Sequence, residues 1–184
     1  MKLSGKIQAI AGSKTVAFTT LIQQLRQEGR AIIDLAVGEP QFDTPAAVIA
    51  ATKKALDAQK TRYGPVNGIP ELRTLVAAQF SGYKSDNILI TNGSKQALFM
   101  IFQVICDPAD EVIVPAPYWV SFIEQIKLAG GRPVPVATKD HRLDSGAIER
   151  AVTPRTKAIL INSPKNPSGA VYPPADLQEI ARLA

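Results

Sequence analysis

From residue 87 onward, short apolar runs alternate with stretches whose apolar residues recur at helical spacing, and that alternation restricts the possible folds more than any other feature. Residues 87–91 (NILIT), 111–114, 132–136 and 157–162 (KAILIN) read as strands. Residues 94–105, 119–129, 145–152 and 174–184 read as helices. Consecutive strands separated by helices need crossover connections, so the strands pair in parallel and the helices cover the sheet. The expected architecture is α/β, a three-layer α/β/α arrangement around a mostly parallel sheet. In such a sheet, ligands bind outside the carboxyl ends of the strands.

A more helical stretch precedes this rhythm. Residues 15–27 place Val16, Leu21, Ile22 and Leu25 at helical spacing, with Gly29 as the cap. Residues 31–37 read as a short strand, and Pro45 opens a helix running to about residue 59. Gly64, Pro65, Gly68 and Pro70 make residues 61–70 a series of turns, and a helix follows to about residue 80. At the other end, residues 176–184 (DLQEIARLA) are amphipathic, without a terminating glycine or proline, and the sheet ends on a crossover helix. On this pattern the sequence is expected to be a fragment.

Composition narrows the function. Hydrophobic residues make up 46% and charged residues 20%, enough to build a core. The net charge is +5, but the basic residues are scattered and the densest pair is Lys53 and Lys54. With no basic stripe interleaved with aromatics, a solvated face is expected in place of a nucleic-acid surface. Cys106 is the sole cysteine, which excludes an internal disulfide, and no Cys/His cluster points to a metal. It follows an apolar run and is expected to be a buried thiol. The sole histidine, His141, lies in a polar stretch and reads as a surface-loop residue. No apolar run reaches membrane-spanning length, and the apolar stretch after the basic start is too short for a signal peptide. A cytoplasmic protein is expected.

Three segments carry chemistry. In residues 91–98 (TNGSKQAL) a strand delivers the chain to Gly93, and a helix begins there with its N–H groups and positive dipole end outward. That suits a phosphate group, although glycine at a strand–helix junction is often only a turn. The GxGxxG and GxxxxGK[ST] fingerprints are absent. In residues 114–122 (VPAPYWVSF), Tyr118 and Trp119 emerge at the carboxyl edge of the sheet, where an indole can stack on a flat heteroaromatic ring; taken alone, Trp119 reads as a core residue first. Residues 162–169 (NSPKNPSG) form a turn stiffened by Pro164 and Pro167 that presents Asn166 to the same edge. Two further glycine–proline loops occupy residues 37–45 (VGEPQFDTP) and 63–73 (YGPVNGIPELR).

In this order the five segments resemble the successive signature loops of class I (fold-type I) pyridoxal-phosphate aminotransferases, most closely the bacterial aspartate aminotransferases. The resemblance implies that the chain covers the amino-terminal half of such an enzyme. Residues 1–40 would belong to the small domain and dimer arm, and residues 41–184 to the PLP-binding large domain. The cofactor would be pyridoxal 5′-phosphate (PLP) and the reaction aspartate:2-oxoglutarate transamination, with amino acid and 2-oxo acid substrates. The backbone amides of Gly93, Ser94 and Lys95 would hold the cofactor phosphate, and Trp119 would stack on the pyridine ring. Asn166 would hydrogen-bond the phenolic oxygen. Tyr63 would reach the cofactor phosphate of the partner subunit in a homodimer. Gly38 would offer its backbone to the substrate α-carboxylate, and Lys95 would favour substrates with a distal carboxylate. Trp119 and Asn166 thus border both cofactor and substrate.

The family's Schiff-base lysine, its pyridinium-binding aspartate and its substrate-clamping arginines lie further along the chain. No lysine here stands in a matching context; Lys157 and Lys165, at a strand start and a turn, are expected in water. No catalytic residue and no metal ligand is therefore assigned, and these residues alone are expected to be inactive. Two alternatives remain: a non-catalytic half-protein that pairs with a partner chain, and another fold-type I enzyme such as a β-lyase.

Overall fold

The structure is a computed structural model that describes every residue except 1, 2, 9, 11, 13, 36 and 37. The chain forms two compact units, Met1–Ala11 with Asn92–Ala184, and Gly12–Thr91.

The first unit contains the sheet. Strands β1 (Glu111–Ala116), β2 (Arg132–Ala137) and β3 (Thr156–Ile159) are all parallel, in the order β2-β1-β3. Register runs Glu111 opposite Arg132 through Ala116 opposite Ala137, and Ile113 opposite Ile159. Central β1 (EVIVPA) is buried along nearly its whole length, as its unbroken apolar run requires. Its side chains alternate between two cores. Val112 and Val114 pack with Phe102 and Cys106 of α5 (Gly93–Ile105) and its cap, and with Phe122 and Ile126 of α6 (Val120–Leu128). Ile113 faces the opposite way, against Val136, Ile148 of α7 (Ser145–Ala151) and Ile180 of α8 (Pro174–Ala181). These are the three layers expected from the sequence.

The chain leaves β1 through α6 on one face and reaches β3 through α7 on the other, so β1 is where the winding reverses. The crevice beyond the carboxyl ends of β1 and β3 is the switch point at which open α/β sheets bind ligands. Outer strand β2 carries Pro133 and Pro135 two residues apart, so both positions lacking an N–H face the same way, which an edge strand tolerates. The short helix α1 (Gly5–Gln8) also belongs to this unit.

The second unit holds α2 (Lys14–Gln27), α3 (Ala46–Asp57), α4 (Pro70–Ala77) and a 3-10 turn over Ser85–Asn87. Gly29 ends α2 at φ +78°, with the Arg30 N–H donating to the Leu25 carbonyl and the Gly29 N–H to that of Arg26, the expected left-handed cap. Arg73 is buried and gathers the unit's second half, donating to the Ser85 and Ile88 carbonyls and pairing with Asp86.

Two expected strands are corrected. Residues 31–35 form no strand, and residues 36 and 37, the end of that expectation and the start of the 37–45 loop, lie outside the described residues. Residues 88–91 run outside any ladder, while Asn87 closes the 3-10 turn. The Ile90 N–H donates to the Asn67 carbonyl in the turn-rich loop, so this apolar run packs on a loop and not on a neighbouring strand. The 157–162 expectation shortens to Thr156–Ile159.

Candidate functional site

Three chain segments meet at the carboxyl edge of β1 and β3. The first is the start of α5. Gly93 has φ +78°, a conformation that L side chains rarely adopt, and a Cβ added there would meet nothing within 4 Å. Backbone geometry, not packing, thus selects glycine. Asn92 makes no side-chain cap bond; its N–H donates to Gln96 Oε1 at 2.5 Å. The dipole of a 13-residue helix converges on the amides of this turn. Gln125 of α6 donates its Nε2 to the Lys95 carbonyl at 2.8 Å and ties that turn to the neighbouring helix.

The second segment leaves β1. Trp119 caps α6, accepting the Phe122 N–H on its carbonyl and meeting the Phe122 ring edge-on at 5.4 Å. The Lys95 ammonium lies 4.7 Å from the centre of the indole, within cation–π range. The expectation that Tyr118 and Trp119 follow the strand to its carboxyl edge matches this arrangement.

The third segment follows β3. The Asn162 carboxamide oxygen accepts the Asn166 N–H at 3.0 Å, the Lys165 N–H donates to the Ala170 carbonyl at 2.8 Å, and the Gly169 N–H returns to the Lys165 carbonyl at 2.6 Å. Peptides Ser163–Pro164 and Asn166–Pro167 are cis, as is Ala116–Pro117 at the end of β1. With its backbone closed on itself, the turn holds Asn166 exposed, and the Asn166 side-chain amide has no hydrogen-bond partner among the described residues.

Ser94, Trp119 and Asn166 line one cavity of about 350 Å³, walled by Leu98, Phe122, Leu160, Ile161, Asn162 and Pro164. That is within the range of small-molecule sites, an apolar wall bearing a few polar groups. Gly93 and Lys95 flank Ser94 in the same helical turn. Gly38 and Tyr63 belong to the other compact unit, where both are exposed.

One lysine departs from expectation. Lys157 is exposed, as expected, and pairs loosely with Asp110 at 3.7 Å, but Lys165 is only 4% exposed. Its Nζ donates to the Ala116 carbonyl at 2.9 Å and lies 5.6 Å from the Tyr172 ring. Burial pushes its amine below the ordinary lysine value. The closed backbone of the turn directs this side chain inward beneath Asn166. Sequence reasoning also missed Asn162, which anchors the turn, and Thr138, whose hydroxyl donates to the same Ala116 carbonyl at 2.7 Å. Only their place just after strands could have marked them. Cys106 is a buried free thiol, raised first by desolvation and then by Asp110, and His141 is exposed in the loop after β2.

Residues 30–184 match the family described as aminotransferase class I and II. The chain is 46% identical to the aspartate/prephenate aminotransferase of Thermus thermophilus, over 99% of this chain and 49% of that protein. It is 40% identical to the aspartate aminotransferase of Bacillus subtilis, over 100% of this chain and 49% of that protein. Among solved structures, the T. thermophilus aspartate aminotransferase with maleate superposes with a TM-score of 0.95 at 46% identity, covering 100% of this chain and 50% of that one. The Rhizobium meliloti aspartate aminotransferase gives 0.94 at 35% identity, covering 100% and 48%. The chain spans about half the length of the curated relatives it matches.

Proposed function

We propose, because this chain belongs to the aminotransferase class I and II family, that the protein transfers an amino group from aspartate to 2-oxoglutarate. The family is PLP-dependent. The observation that carries the reading is the single cavity bordered by Ser94, Trp119 and Asn166, with the Gly93 turn of α5 beside it. These residues suit the cofactor: a helix start for a phosphate, an indole for a ring, and an unengaged carboxamide for an oxygen. Bound there, PLP would supply the electron sink for chemistry at the substrate Cα.

The chain's own residues would bind and orient. The amides of Gly93, Ser94 and Lys95 hold the phosphate at the positive end of the α5 dipole. Trp119 fixes the plane of the ring, and the Asn166 side-chain N–H donates to the phenolic oxygen. Lys95, whose ammonium lies over the Trp119 indole, supplies a cation that favours amino acids with a second carboxylate, and Gly38 offers its backbone to the α-carboxylate. The names of the relatives, aspartate and aspartate/prephenate aminotransferase, support this acidic preference. A homodimer in the cytoplasm, with Tyr63 reaching the cofactor phosphate held by the partner subunit, belongs to the same reading. So does the division at residue 40 between a small-domain arm and the large domain. The Schiff-base lysine is assigned outside these residues, so residues 1–184 alone are predicted inactive.

The test is a transamination assay on the protein as its source produces it. PLP-dependent formation of oxaloacetate from aspartate and 2-oxoglutarate is expected. A protein that binds PLP yet exchanges no amino group between these substrates contradicts the reading. Prephenate substituted for 2-oxoglutarate reads the acceptor range.

A further inference from the structure

The carbonyl oxygen of Ala116 accepts two hydrogen bonds, from Thr138 Oγ1 at 2.7 Å and from Lys165 Nζ at 2.9 Å. Ala116 ends β1, Thr138 follows β2, and Lys165 sits in the turn after β3. One oxygen therefore ties together the exits of all three strands. Ala116 precedes Trp119 by three residues, and Lys165 immediately precedes Asn166.

The donor is an expensive one to place there. An ammonium taken out of water loses hydration that one carbonyl and the face of Tyr172, itself 3% exposed, replace only in part. A lysine in a turn can reach solvent with its flexible stem, and this one does not. A buried charge-assisted bond gives little net stability to a fold, but it fixes geometry well.

We propose that Lys165 is a positioning residue whose bond to the Ala116 carbonyl, shared with Thr138, sets the spacing between Trp119 and Asn166. This rests on the reading of the adjoining cavity as the PLP site. Lys165 touches neither cofactor nor substrate; it acts by holding the Asn166 turn against the exit of β1. Without the ammonium the two segments are joined by packing alone, and the Asn166 carboxamide no longer keeps a fixed distance from the ring that Trp119 stacks upon.

The experiment compares wild type, Lys165→Met and Thr138→Val in the protein as its source produces it. Each variant keeps side-chain size and removes one donor. Three quantities are read: the dissociation constant of PLP, the visible absorption and circular dichroism of the bound cofactor, and the melting midpoint without cofactor. Lys165→Met is expected to weaken PLP about tenfold, the loss of one charge-assisted bond, and to alter the cofactor dichroism. Its cofactor-free midpoint should stay within a few degrees of wild type or rise, since an apolar side chain replaces a buried charge. Thr138→Val is expected to weaken PLP about threefold. Wild-type affinity and dichroism in Lys165→Met overturn the proposal. So does a lowered cofactor-free midpoint with unchanged dichroism, which marks a purely structural lysine. If Lys165→Met does not fold, Thr138→Val decides, and unchanged affinity there overturns the proposal. Wild-type protein that takes up no PLP overturns the cofactor reading itself, and this proposal with it. Wild type that binds while both variants match it overturns this proposal alone.

Discussion

Gly68 shows how closely a single residue can be constrained outside the site. Its φ is +103°, and a Cβ there would lie 2.5 Å from Ile90 Cγ1 and 2.7 Å from Ile90 Cβ. Backbone conformation and packing both exclude a side chain, and the Ile90 N–H bonded to the Asn67 carbonyl leaves that segment little room to retreat. Gly68→Ala is therefore expected to destabilise the protein by about 2 kcal/mol or more, read from urea denaturation midpoints. A change below a few tenths of a kcal/mol would mean that the loop relaxes freely. In the sequence Gly68 is visible only as one of several turn residues, because its requirement comes from Ile90, 22 positions away in the numbering. Trp119 and Asn166 could be picked out as candidates, since each follows an apolar run and lies within two residues of a proline. Lys165 could not: composition assigns a turn lysine to solvent, and only the closed backbone of residues 165–170 turns it inward.

At the level of elements, the sequence served best where a run is buried by its own unit. Residues 111–114 and 132–136 became β1 and β2, and the helical periods became α5 to α8, because each apolar stripe finds the sheet or helix that buries it. The runs at 31–37 and 87–91 carry the same β-branched composition, yet their described residues join no ladder. A strand is defined by its neighbour, which local pattern does not supply.

Two ion pairs join elements and give the fold an acid limit. Thr153 donates to Glu111 Oε2 at 2.8 Å, and Arg132 pairs with the other oxygen of this β1 carboxylate, holding it below the ordinary glutamate value. Arg142, after β2, grips Asp176 of α8, with Nε at 3.1 Å from Oδ2, and holds that carboxyl low as well. A carboxylate with a lowered folded pKa binds fewer protons folded than unfolded, so its contribution is complete above the unfolded value, near pH 4. The contribution is then lost as pH falls through the lowered folded value. Stability measured by denaturation should accordingly drop on acidification below about pH 4, and less steeply in Glu111→Gln and Asp176→Asn. An identical acid slope in wild type and both variants would contradict this assignment.

On the scale of the whole molecule, the sheet-bearing unit contains the switch-point crevice and every proposed cofactor contact except Tyr63. Sequence patterning reached the three-layer class and the carboxyl-edge location because both follow from alternating strands and helices. The assignment of roles needed the family, since an indole, a glycine turn and an asparagine have ordinary structural readings one at a time. Among the described residues no helix is long and apolar enough to cross a membrane. The chain spans about half the length of its curated relatives, so the chemistry proposed for it is tested on the protein as its source produces it.

On the proposed reading, the start of α5 and the exits of β1 and β3 together form the cofactor cradle. The most direct measurement is a crystal structure of that protein grown with PLP. The phosphate is expected within hydrogen-bond distance of the amides of residues 93–95, the pyridine ring against Trp119, and the phenolic oxygen facing Asn166. A PLP phosphate bound away from the α5 start, with Trp119 and Asn166 both out of contact with the ring, would contradict that reading.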